Sequence, residues 1–130
     1  MPSRVWSHIC DYAAIDANGK AMIIGEFDRI NAQSAPVQHL LFFVVIKWAG
    51  VDQETFTHRV RITDPNRNTV VEGQPHIVTI RGGEKGEGNH VSVEGFMMTV
   101  FKEFGEYSVE ILLDDLPVHI LPLYISQRTS

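Results

Sequence analysis

Between residues 5 and 125 apolar and polar positions alternate in short runs and do not recur at a helical spacing. A period of two sends successive side chains to opposite faces of a strand. Turn-forming residues break the runs roughly every 8 to 14 residues, and the stretches between them are rich in Val, Ile, Phe, Tyr and Thr, which fit a pleated, half-buried surface. The pattern predicts an all-β chain without helices. VWSHICDYAAI (5–15) and AMIIGEFDRI (21–30) flank DANGK, where Asn18-Gly19 supplies the positive φ of a tight hairpin turn. NAQSAPVQ (31–38) reads as a crossover, because Pro36 cannot donate within a central strand. ETFTHRVRITD (54–64) turns Phe56, His58, Val60 and Ile62 one way and Thr57, Arg59, Arg61 and Thr63 the other.

The second half follows the same logic. DPNRN (64–68) is a turn, TVVEG and HIVTIR (76–81) are short strands, and GGEKGEG (82–88) is a flexible hairpin tip. HVSVEGFMMTVF (90–101) loses its alternation around Glu94-Gly95, as a β-bulge would make it. YSVEILLDD (107–115) and PVHILPLYI (117–125) form the last hairpin, with an apolar stripe of Tyr107, Val109, Ile111 and Leu113. About eight or nine strands, each with one apolar face, bury those faces most economically as two packed antiparallel sheets. Residues 1–130 are therefore expected to form a single β-sandwich domain, with a closed barrel as the structural alternative. EFGEYSV (103–109) resembles the turn that leads into a late strand of immunoglobulin-like sandwiches, where a tyrosine hydroxyl ties down the corner; the cysteine that usually follows is absent. The expected type is immunoglobulin-like or C2-like.

LLFFVVIKW (40–48) opens with seven apolar residues, far fewer than the about 20 of a membrane-spanning helix. As a strand it points Leu40, Phe42, Val44, Ile46 and Trp48 to one side and Leu41, Phe43, Val45 and Lys47 to the other. The first set suits a core. Three large apolar side chains of the second set, left in water, would forfeit roughly 1.5 to 3 kcal/mol each. A loop such as 31–38, a partner subunit or a ligand is expected to cover them, so Leu41, Phe43, Val45 and Lys47 are the candidate interface.

With 130 residues and a hydrophobic fraction of 44% the chain can bury a sizeable core unaided. A net charge of -5 argues against a general nucleic-acid binder and against binding anionic membranes. The lone Cys10 cannot form an internal disulfide, and MPSRVWSHICDYAAI holds no apolar run of secretory-signal length, so a cytoplasmic setting is expected.

Candidate chemistry is sparse. His8 and Cys10 share a strand face, yet neither an orienting group nor a second cysteine accompanies them, so Cys10 reads as structural. RGGEKGEG lacks the Gly-Lys-Ser/Thr ending and following helix of a phosphate loop. The Asp and Asn residues near 16, 64 and 114 would have to converge from three turns to hold calcium. Arg59 and Arg61 are expected to pair with outward carboxylates such as Glu94 or Glu110. His58, on an apolar strand face, reads as a hydrogen-bonded core residue. Neither a metal nor a cofactor is expected.

ICDYA (9–13), NGKAMIIGEFDRI (18–30) and the ending GEYSVEILLDD through LPLYI (105–125) together resemble a family of uncharacterised bacterial domains of about this length. The resemblance implies a bacterial β-sandwich and no assigned activity. The expected function is a non-enzymatic interaction or assembly module that self-associates through the sheet carrying residues 40–48. The alternative is a small-molecule or carbohydrate-binding sandwich, with Trp48, Trp6 or the loops around Asp16 and Asp114 forming a shallow site.

Overall fold

One kind of turn occurs twice. In DANGK the Asp16 carboxylate accepts hydrogen bonds from the amides of Asn18 and Lys20, both at 2.8 Å. In DPNRN the Asp64 carboxylate accepts from Asn66 and Asn68 at 2.9 and 2.8 Å. Each loop carries a single residue of positive φ, Gly19 and Arg67, so an aspartate holds the Asn18-Gly19 turn where its sequence suggests two left-handed residues. Asp114 and Asp115 do take positive φ together, closing the last hairpin as a mirror-image turn does.

A computed structural model describes residues 1–128, with Lys85 as backbone alone. Among them are ten strands: β1 (Ser3–Ile15), β2 (Ala21–Glu26), β3 (Arg29–Ala32), β4 (Val37–Val51), β5 (Thr55–Thr63), β6 (Thr69–Glu72), β7 (His76–Thr79), β8 (Glu87–Phe101), β9 (Gly105–Leu113) and β10 (Leu116–Gln127). The described residues include no α-helix, and a short 3-10 turn spans Gly83–Lys85. One sheet has the order β2-β1-β4-β8; the other runs β3-β10-β9-β5-β6, with β7 also pairing β5. The all-β class and the two sheets are as expected. AMIIGEFDRI, however, is two strands in different sheets. Phe27 donates its amide to the Ile9 carbonyl in the first sheet, and the Asp28 carbonyl accepts from Tyr124 in the second. Because the chain enters β3 by this crossing and not by a hairpin, β3 lies parallel to β10, a departure from the antiparallel expectation.

The two sheets share one core. Phe42, Val44, Ile46 and Trp48 of β4 meet Val60 and Ile62 of β5, Val109 and Ile111 of β9, and Leu123 and Ile125 of β10. On β5 the inward residues are buried as the alternation requires, while Arg59 pairs Glu72 at 2.7 Å and Arg61 pairs Glu110 at 2.8 Å. Tyr107 is buried, and its hydroxyl donates to the Glu103 carbonyl at 2.8 Å. Replacing Tyr107 with Phe leaves that carbonyl without its partner and is expected to lower stability by about 0.5–1.5 kcal/mol, read as a shifted urea midpoint.

The alternation in β4 and β8 breaks elsewhere than expected. Glu94 and Gly95 stay in register opposite Val44 and Phe43. Glu94 simply points inward, where its carboxylate meets His76 Nε2 at 2.5 Å, and a polar residue at an inward position looks like a bulge in the sequence. The break falls at Met98, whose φ is +56°. Between the pairs His39–Thr99 and Phe42–Phe96, each strand has two residues instead of one. Leu40, expected in the core, is consequently 68% exposed.

Candidate functional site

The outward face of the four-stranded sheet is built from β1, β4 and β8. Trp6 and His8 lie across from Lys47 and Val45, and Cys10 across from Phe43. On the other flank Val91, Val93 and Gly95 face Lys47, Val45 and Phe43. Val45, expected on a face that needs a cover, is 0% exposed. It sits in a second small cluster with Cys10 and Ala13, closed over by Trp6, Ile23, Phe43, Val91 and Val93. Broad side chains on neighbouring strands therefore cover this part of the face. The 31–38 loop does not, since it joins β3 of the other sheet to β4 and its Gln33 carbonyl accepts from Gln127 of β10.

The remaining candidates separate clearly. Trp48 is wholly buried, its ring 5.2 Å from Phe56 and 5.9 Å from His58. It offers no surface to a ligand. Trp6 is half-buried on the outward face, 5.1 Å from the His8 ring, so the two tryptophans do not share a site. Phe43 is half-buried, with its ring edge-on to Tyr12 at 5.7 Å. Leu41 is exposed and lies opposite Met97 of β8.

What stays open is an apolar band across this sheet. Ile24 of β2 (60% exposed) faces Tyr12 of β1, which touches Phe43 of β4, beside the pair formed by Leu41 and Met97 (75% exposed). The break at Met98 adds to it, because Leu40, Leu41, Met97 and Met98 all fall between inward-facing pairs and all are exposed. The sequence carried a signal for this in its adjacent methionines, but read as plain alternation it sent one of each pair inward.

Around the β8 edge the sheets stand apart and leave a groove of about 870 Å³ between β6 and β8. Its lining includes Val70, Val71, Phe96, Met97 and Met98, with Asp64, Glu72, Glu94, Lys102 and Glu103 among its polar residues.

Farther along the inner side lies a polar row. Trp48 pairs across strands with His90, Ile46 with Ser92, and Val44 with Glu94. His58 is 2% exposed, with its ring 5.4 Å from that of His76. Burial, reinforced by His76 and His90, pushes its pKa down to about 4. It is a core residue, but its Nδ1 has no hydrogen-bond partner, and neither has Ser92 Oγ or Trp48 Nε1. With Ser92 Oγ bonded to no base, the row contains no activated nucleophile. Burial likewise raises the pKa of Cys10, which keeps its thiol protonated and unreactive.

Among the described residues no three His, Cys, Asp or Glu side chains gather to hold a metal. The carboxylates of Asp16 and Asp64 are engaged by their own turns, and the Gly82 amide is bonded to Asp52 at 2.8 Å. No curated protein matches the chain. A family described as a family of unknown function (DUF6941) matches residues 5–126, nearly the whole of the sequence, and the chain belongs to that family.

Proposed function

We propose that this protein is a non-enzymatic assembly module that associates with a second copy of itself through the outward face of its four-stranded sheet. The observation that carries the reading is the apolar band from Ile24 through Tyr12, Phe43 and Leu41 to Met97. Scattered apolar residues are ordinary on a monomer, whereas a contiguous patch marks a contact surface. A two-fold contact sets residue i of the patch against residue j of the second copy and j against i, so a charge within an apolar patch would be buried without a partner. None of these five residues is charged, although the chain carries a net charge of -5.

Methionine and leucine at the Met98 break add adaptable surface to the contact. In this reading the fold is a sandwich of the immunoglobulin-like or C2-like kind, and the tie from Tyr107 to Glu103 supports it. A cytoplasmic setting agrees with the lone buried cysteine.

The informative substitution is an exposed one. Phe43 is half-buried and its ring lies over Gly95, so Phe43→Lys would disturb the sheet itself. Met97 is mostly in water, and Met97→Lys should leave the fold intact while burying an unpaired charge in the apolar contact. The expected result is a folded variant with the mass of a monomer at concentrations where the parent is assembled, measured by light scattering after size exclusion. An unchanged assembled mass would count against this face.

A small-molecule reading has less support. Trp48 is enclosed, and Trp6 lies on the other side of the sheet, helping to close over Val45.

A further inference from the structure

We propose that the groove between β6 and β8 is a second binding site, which takes an extended segment of a partner protein in which basic and apolar residues alternate. This goes beyond self-association: the groove shares Met97 and Met98 with the apolar band but adds β6 and a polar rim that the band lacks.

The first observation is the edge of β8. The strand is 15 residues long and is paired on one side, by β4. The outer strands β2, β3, β6 and β7 have 6, 4, 4 and 4 residues. Proteins commonly guard a long open edge with lysine or proline, and GFMMTV (95–100) contains neither. Its unpaired amides and carbonyls can accept an added strand. The φ of +56° at Met98 interrupts a regular ladder there. Backbone pairing is therefore confined to residues 94–97, and side-chain contacts carry the rest.

The second observation is charge. Asp64, Glu72, Glu94 and Glu103 line the groove with Lys102 as the one cation among them. Arg59 offsets Glu72, and His76 meets Glu94. Among the described residues Asp64 and Glu103 make no ion pair. A second copy of this acidic rim would be repelled, as would a nucleic acid. A strand with lysines or arginines on one face and apolar side chains on the other would set its cations against the rim and its apolar face on Val70 and Val71.

The test is fluorescence anisotropy with a labelled short peptide alternating lysine and valine. One control peptide replaces lysine with glutamate, and another replaces valine with glycine. The expected result is saturable binding of the lysine-valine peptide alone, weakened roughly tenfold by Glu103→Lys, with slowed amide exchange at residues 94–97. Absence of saturable binding, equal binding of either control, or an unchanged affinity in a folded Glu103→Lys variant would overturn the proposal. Native mass measured on the same samples reports self-association separately, so either idea can fail without the other.

Discussion

Replacing Trp48 with alanine is expected to cost about 3–5 kcal/mol, a large share of the about 5–15 kcal/mol that holds a domain folded. Trp48 is fully buried where β4 faces β5, in edge contact with Phe56 and tilted against His58. Removing the indole opens a cavity lined by both sheets, which the shared core cannot close without moving strands. Trp48→Phe keeps most of the ring and should lose markedly less, helped by the removal of an indole N–H that has no partner. Urea unfolding of the two variants gives the comparison. A loss of under about 1 kcal/mol for the alanine variant would show that the site had collapsed without penalty, against the close-packed core described above.

Acid is expected to weaken the protein through His58. In the folded chain its pKa is lowered from 6.5 to about 4, by burial first and then by His76 and His90. The unfolded chain therefore takes up this proton more readily. The stability involved is fully present above pH 6.5, falls as the pH drops from 6.5 towards 4, and levels off below. The whole effect is about 3 kcal/mol. Burial lowers the pKa of His90 as well, which adds in the same direction.

His58→Phe removes the titrating group and its unpartnered Nδ1. This variant should match or exceed the parent at pH 7, and its advantage should grow as the pH falls. Urea midpoints across that range decide the matter, and parallel curves for parent and variant would contradict the assignment.

Much of the fold was legible from period-two patterning. In β5, and in β9 from Tyr107 to Ile111, both in the interior of their sheet, every second residue is buried, so alternation maps onto core and surface, until Leu112 is buried as well. The pattern failed where a residue answered to a partner distant in sequence. Glu94 looked like a bulge because it points inward to His76, and the actual break at Met98 showed only as two adjacent methionines, which plain alternation splits between the faces. Phe27 and Asp28 read as strand because local propensity contains nothing about a crossing between sheets.

The candidate interface was legible in part. Leu41 and Phe43 lie on the outward face as their spacing requires. That Val45 is closed over depends on Trp6, nearly 40 positions away in the chain, and on strand order, which alternation does not encode. The edge groove needed strand order as well, since nothing in EGFMMTV says that one of its sides goes unpaired.

If self-association is the function, a second copy of the chain closes the band from Ile24 to Met97. Sedimentation equilibrium of the unmodified protein over a wide range of concentration addresses it most directly. The expected result is a reversible, closed assembly whose mass is a whole multiple of 14.7 kDa and rises to a plateau with concentration. A mass of one chain at every concentration would contradict it.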